Sequence, residues 1–308
     1  MAKNKSSKNK KPSTELTPEE EAFNSANANW APGHMTKAMN KIKENLSRVD
    51  IVLEVRDARA PLMTSNLTFT DKVKGKPRLI IFNKTNLARD EVITLWKKWL
   101  SKQGEKFIFV NALDKQSITQ VIQVSMDLLK GRAREAQTNL DPNTTVKMMI
   151  IGLPNTGKST IINTLAGRSI TKVADKPGQT QKELWVNVGP GLAILDTPGV
   201  LPPTIKNRRQ ALQLSALNAI SERIMDPEGT ACYLVEHLLK NNAEEVKAHF
   251  KMENLTHDLI DTLNEIAKAR GCILKGHEYD YERVYQIVIN DFRKGFFGPV
   301  SLEHPPLF

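Results

Sequence analysis

Cysteine is nearly missing from this chain. Its 308 residues include two, Cys232 and Cys272, far apart and in no C-x-x-C pair. That argues against a disulfide framework and a structural zinc site, and it fits a reducing compartment. No apolar run is long enough to span a bilayer, and the start of the chain has no apolar signal-peptide centre. Residues 1–28 contain no arginine but four glutamates, the wrong composition for an organellar transit peptide. Acidic residues are the minority charge: 34 Asp and Glu against 44 Lys and Arg leave a net charge of +10 and a pI near 9.5. Such an excess suits a polyanionic partner, because Lys and Arg displace counterions from phosphate backbones. General solubility accounts for it equally simply.

What is present centres on Gly152-Leu153-Pro154-Asn155-Thr156-Gly157-Lys158-Ser159-Thr160. It fits G-x-x-x-x-G-K-[ST], the phosphate-cradling loop, and its flanks have the required context. Val146 to Ile151 is a short strand-forming run, and Ile161, Ile162 and Leu165 recur at helical spacing. Backbone N–H groups of such a loop and the helix N-terminus bind phosphate oxygens. Lys158 then reaches the terminal phosphates, and the Ser159 hydroxyl ligates magnesium. The chain is expected to bind a nucleoside triphosphate.

Residues 1–28 read as a tail, with Lys3, Lys5, Lys8, Lys10 and Lys11 followed by an acidic stretch from Glu15 to Glu21. A basic arm touching RNA and a solvated end account for it equally well. A helix carrying Met39, Ile42 and Leu46 comes next, then a buried strand from Val49 to Val55 and a polar loop from Arg56 to Pro61. Leu79 to Phe82 and Phe107 to Val110 are further strands, and Glu91 to Leu100 and Ile118 to Leu129 are helices. Gly131 to Asn143 reads as a linker. Beyond the phosphate loop, Leu184 to Val188 and Leu192 to Leu195 form a strand pair. The alternation predicts an α/β fold with a doubly wound, mostly parallel sheet over 29–204. From 205 to 308 the apolar spacing is helical throughout, which predicts a smaller all-helical domain.

Several polar motifs follow predicted strands, at the sheet edge where such folds bind ligands. Asp196-Thr197-Pro198-Gly199 supplies Asp196 for the magnesium shell and the Gly199 N–H for the terminal phosphate. Thr180 is placed to close over magnesium from a switch loop. Asn83 and Lys84 are expected to frame a base, with Ala112 contributing backbone to its edge.

These motifs resemble those of the translation-factor-related GTPases in permuted order, with the base motifs ahead of the phosphate motifs. The chain is therefore similar to the circularly permuted GTPases, and within them to the RbgA or YlqF ribosome-biogenesis family, which has mitochondrial relatives. The marks are Trp30-x-Pro32-Gly33-His34-Met35, Asp57-Ala58-Arg59-x-Pro61, the permuted set, and Gly271-Cys272 through Asp291-x-Arg293 to Leu302-Glu303. The resemblance runs from about Trp30 to Pro305.

The resemblance implies GTP as substrate, Mg2+, and K+ held by Asn155 beside the phosphates. It implies that His34 orients the attacking water, because Val200 stands where many GTPases carry a glutamine; by residue type alone, His34 reads as a structural residue of the first helix. Ala31 departs from the usual pattern, which has an aromatic there. The catalytic set is then His34, Lys158, Thr180 and Gly199. Nucleotide contacts come from Asn83, Lys84, Asn86, Asn111, Ala112, Asn155, Thr156, Gly157, Ser159 and Thr160. The implied partner is a precursor of the large ribosomal subunit and its rRNA, met by a monomer in the bacterial cytoplasm, with an organellar matrix as the alternative. The usual motif has aspartate where this chain has Asn86; asparagine offers guanine one acceptor and one donor, a mismatch of about 1–3 kcal/mol.

Overall fold

The computed structural model describes residues 32–65, 73, 75–135, 144–170, 184–200, 205, 207–220, 226–253 and 255–306. The tail at 1–28, Trp30, Ala31 and Thr180 lie outside the described residues.

Six strands form one sheet: β1 (Ile51–Asp57), β2 (Arg78–Asn83), β3 (Phe107–Phe109), β4 (Val146–Gly152), β5 (Leu184–Gly189) and β6 (Leu192–Asp196), in the order β3-β2-β1-β4-β6-β5. All pairings are parallel except β5 with β6. From β1 the chain winds outward through β2 and β3, returns to β4 beside β1, and then fills the other edge. The switch point therefore lies between β1 and β4, and parallel strands put all their carboxyl ends on one edge, where such folds bind ligands.

Both faces of the sheet are covered. Ile51, Leu53 and Val55 of β1 face α3 (Lys115–Glu135) and α4 (Lys158–Ala166) through Ile118, Val121, Ile161 and Ile162. The alternate residue Val52 faces α1 (Pro32–Leu46), whose Met39 and Ile42 also meet Met149, Ile151 and Leu195. Under β2, α2 (Asp90–Lys102) buries Val92, Ile93, Trp96 and Leu100 against Ile80 and Phe82. Each fully buried aliphatic of this kind contributes roughly 1.5–3 kcal/mol. Burial on both faces is why the strands read as continuous apolar runs.

Two boundaries differ from expectation. β1 runs on through Arg56 and Asp57, because Arg56 pairs in register with Phe82 and Asp57 with Asn83. Its charges are neutralised locally: Arg56 Nε donates to Glu54 Oε1 at 2.7 Å. The linker expected from Gly131 is still helix as far as Glu135. Arg132 and Arg134 sit in that last turn, where cations favour the helix C-terminus, and Arg132 donates to Gly75 O at 3.1 Å.

The remaining described helices are α5 (Arg208–Ala216), α6 (Pro227–Asn241), α7 (Ala243–Phe250), α8 (Leu259–Arg270) and α9 (Tyr281–Lys294). Asn207, Asp226, Asp258 and Asp280 cap four of them by accepting a backbone N–H, each worth about 1 kcal/mol. Leu234, Leu238, Leu263, Ile266, Val284 and Val288 form their shared core. That core also takes in Ala60 from the loop after β1. Among the described residues no helix is long and apolar enough to cross a membrane.

After α9 the chain returns to the sheet half. Val300 N donates to Leu87 O at 2.9 Å and Leu302 N to Arg59 O at 2.8 Å. The Glu303 carboxylate accepts from Leu62 N at 2.7 Å and Met63 N at 3.2 Å. Burial outweighs these two donors and raises the Glu303 pKa to about 7.

Candidate functional site

The loop between β4 and α4 wraps Lys158 back on itself. Lys158 Nζ donates to Leu153 O at 2.8 Å and to Gly152 O at 3.2 Å, and the side chain is 7% exposed. Burial depresses its pKa to about 8, and Asp196 opposes the shift only in part. Asp196 ends β6 and is pushed upward, again chiefly by burial. Its Oδ1 has no hydrogen-bond partner among the described residues. A buried ammonium beside a buried, half-satisfied carboxylate is costly unless something completes it. A phosphate would complete Lys158, and magnesium would complete Asp196. Ser159, at the second position of α4, is the hydroxyl that would share the metal. Such sites hold magnesium with one or two protein ligands plus phosphate oxygens.

Close approach explains two glycines. Gly157 caps α4 with φ 97°, and a Cβ there would collide with Asn83 Nδ2. A Cβ on Gly199 would lie 2.8 Å from Pro154 N, so the Asp196–Gly199 segment lies directly against the phosphate loop. Thr197 Oγ1 fixes that segment by donating to Ile150 O at 2.7 Å.

The other end of the site is tied by side chains. Asn83 Nδ2 donates to Thr156 O at 2.9 Å, while its Oδ1 accepts from Ala112 N at 2.9 Å. One amide thus joins β2, the phosphate loop and the loop after β3. Thr164 Oγ1 donates to Ala112 O at 2.7 Å. In this structure Ala112 therefore spends both backbone groups on fixing the loop. Lys84, at φ 67°, donates to Asn155 O at 2.7 Å and meets Asp57 Oδ2 at 3.0 Å. Asp57 Oδ1 accepts from Arg59 N at 3.0 Å and Nε at 2.9 Å, and Oδ2 from Arg59 Nη2 at 2.8 Å. Burial would raise the Asp57 carboxyl, but Arg59 and Lys84 outweigh it and hold it well below the usual range. The Arg59 guanidinium in turn lies 5.0 Å from the Phe292 ring of α9.

The edge thus brings together Asn83, Lys84, Ala112, Asn155, Thr156, Gly157, Lys158, Asp196 and Gly199. Thr160 follows Ser159 in α4, and Asn86 lies exposed in the 3-10 turn Thr85–Leu87. Asn111 Oδ1 accepts from Leu113 N at 3.1 Å, shaping its own loop. His34 lies in the first turn of α1. The same helix packs Met39 and Ile42 in the cluster that holds Val200. Val200 itself is 1% exposed, so its side chain is core.

Sequence reasoning missed the Asp57–Arg59–Lys84 cluster. The available signal was the charged run Arg56-Asp57-Ala58-Arg59 at the end of a buried, mostly apolar strand. It also missed the bond from Asn155 Nδ2 to Asn218 O, 2.6 Å, between the phosphate loop and the end of α5. Arg293 of α9 donates to Ser215 O at 2.7 Å and Ala216 O at 3.1 Å, so its guanidinium is committed to the end of α5.

Fold and site together define a circularly permuted P-loop GTPase. Residues 147–273 match the family described as 50S ribosome-binding GTPase. Ribosome biogenesis GTPase A of Bacillus licheniformis is 36% identical over 276 residues, covering 90% of this chain and 98% of the relative. Mitochondrial ribosome-associated GTPase 1 of Bos taurus is 29% identical over 296 residues, covering 90% and 88%. The crystal structure of GNP-bound YlqF from T. maritima superposes with a TM-score of 0.59 at 27% identity, covering 88% of this chain and 100% of that one. This chain belongs to the ribosome biogenesis GTPase A family, RbgA or YlqF. It is a GTP-hydrolysing enzyme of ribosome biogenesis, with GTP as substrate and the magnesium dependence typical of such GTPases.

Proposed function

We propose that the enzyme docks on a precursor of the large ribosomal subunit in its GTP form, promotes late assembly, and leaves after hydrolysis to GDP and phosphate. The observation that carries this reading is the 2.6 Å hydrogen bond from Asn155 to Asn218 O. It lets the occupancy of the phosphate loop bear directly on the helical half. In this reading 29–204 is the GTPase domain and 205–308 the ribosome-binding domain, acting as a monomer in the bacterial cytoplasm or an organellar matrix. Exposed Arg208, Lys268, Arg270 and Lys275 supply phosphate contacts. The sequence motifs of this half show no aromatic base-reading platform, so recognition in this reading is by shape and backbone and weakens with salt.

Because Val200 is core, another group must orient the water, and we assign that role to His34. Asn155 is the potassium ligand in this reading. An amide that donates through Nδ2 can ligate a cation through Oδ1, and the cation would supply charge at the developing transition state. Thr180 closes over magnesium from the switch loop.

The test is GTP turnover in potassium and in sodium buffer, with and without large ribosomal subunits, alongside His34→Ala. The account expects stimulation by the particles in potassium that the variant loses. Stimulation retained in the variant removes His34 from the mechanism. The buried Val200 also supports a second reading, a nucleotide-dependent RNA-binding module with little hydrolysis. Unchanged turnover with the particles at saturating GTP would favour it.

A further inference from the structure

The base end of the site is rigid everywhere except in the chemistry of one exposed amide. The turn Thr85–Leu87 is tied on all sides: Thr85 N donates to Val110 O at 3.2 Å, Leu87 N to Lys84 O at 2.9 Å, and Val300 N to Leu87 O at 2.9 Å. Asn83, two residues before the turn, donates to Thr156 O of the phosphate loop and accepts from Ala112 N, at 2.9 Å each. Lys84 reaches Asn155 O at 2.7 Å, which places this turn beside the phosphate loop. Asn86 stands on the turn, exposed and with no hydrogen bond to any described residue.

Guanine presents two adjacent donors on its pyrimidine edge, the N1–H and the 2-amino group. Complementing both requires two acceptors, and an asparagine amide has one acceptor and one donor. Its Oδ1 satisfies N1–H, but its Nδ2 then faces the 2-amino group, donor against donor. Nearby carboxylates are occupied elsewhere. Asp57 is held by Arg59 and Lys84, and Asp114 accepts from Gln116 N and Ser117 N at 3.1 Å each. Asp90 opens α2, four residues further on. A purine with N1–H and a 2-oxo group matches asparagine at both positions. Hypoxanthine, with hydrogen at C2, gains one bond and meets no opposed donor.

Building on the reading of this turn as the base-binding end of the GTPase site, we propose that Asn86 sets the base preference. The pocket takes xanthosine triphosphate more tightly than GTP, with inosine triphosphate between them and GTP a weaker substrate of the same site.

The test is competition binding of XTP, ITP and GTP at fixed magnesium and potassium, for the wild type, Asn86→Asp and Asp90→Ala. Asn86 is exposed, so its substitution leaves the core intact. The wild type should bind XTP more tightly than GTP by on the order of tenfold to a hundredfold, the effect of leaving one such pair opposed. Asn86→Asp should reverse that order, and Asp90→Ala should leave it unchanged. Tighter binding of GTP than XTP by the wild type overturns the proposal, as does an order that Asn86→Asp does not move. Loss of GTP binding in Asp90→Ala also overturns it, by showing that Asp90 supplies the second acceptor. Failure to bind all three triphosphates would instead overturn the reading of the phosphate loop, and the proposal with it.

Discussion

Lys84 and Lys158 anchor opposite ends of one site; burial lowers the pKa of both, but the fold partners them differently. Lys84 has a carboxylate, Asp57 Oδ2 at 3.0 Å, and a carbonyl, Asn155 O at 2.7 Å. Asp57 is itself saturated by Arg59. Lys158 has carbonyls alone, and Asp196 nearby keeps an unpartnered Oδ1. Burial pushes Lys158 down to about 8 and Asp196 up. Both shifts disfavour the charged forms that catalysis needs. The base end is thus completed by protein, and the phosphate end is left for the triphosphate and its metal to complete. A polyanion with a divalent cation satisfies both groups together, which neither partner alone would do.

Breaking each end should have a different signature. Asp57→Ala leaves Arg59 and Lys84 without their counter-charge, so the largest loss is in folding stability, about 3–5 kcal/mol, read by denaturant unfolding. Lys158→Ala removes a group whose partner is the ligand. GTP hydrolysis should fall by on the order of 10²–10³-fold while the unfolding midpoint holds or rises. If the two variants show the same pattern, the contrast between the ends is wrong.

Val200→Gln tests whether the missing glutamine is simply replaceable. The amide would enter the cluster of Leu195, Ile151 and Met39, costing about 1–3 kcal/mol, and turnover should not rise. Faster hydrolysis in that variant would show that the position faces the substrate.

A pH-dependent effect is expected at the seam between the two halves. Glu303 titrates near 7 in the fold against 4.5 when unfolded. Its contribution to stability is complete below 4.5 and is lost as pH rises through about 7. Glu303→Gln should flatten the stability profile across that window, measured as unfolding midpoints from pH 4.5 to 7.5.

The phosphate end was legible in the sequence because its chemistry is local. A strand, a Gly157-Lys158-Ser159 turn and a helix lie within one short stretch, and parallel strands bring the other motifs to the same edge. The ties of the base end were not legible, because they join residues that only the folded sheet brings together. Asp57 and Lys84 meet across adjacent strand ends, Asn83 reaches Thr156, and Glu303 reaches Leu62 from the far end of the chain. Val200 was recognised as unable to orient water, but residue type could not show that its side chain turns into the core. The start of the linker assigned from Gly131 was set too early for a related reason: polar residues on an exposed helical turn, here as far as Glu135, have the same composition as a loop. Thr180 and the tail fall outside the described residues, so their expected roles stand as proposals.

The most direct measurement of the central claim is the proton uptake that accompanies nucleotide binding. Titration calorimetry at pH 8, repeated in buffers of different ionisation enthalpy, gives that number. With its pKa near 8 in the free protein, Lys158 is about half protonated at that pH, and a bound triphosphate favours its charged form. The account predicts uptake of about half a proton per nucleotide, with affinity falling as pH rises above 8. Binding without proton uptake at pH 8 would contradict it, by showing that Lys158 is already fully charged and the phosphate end already complete.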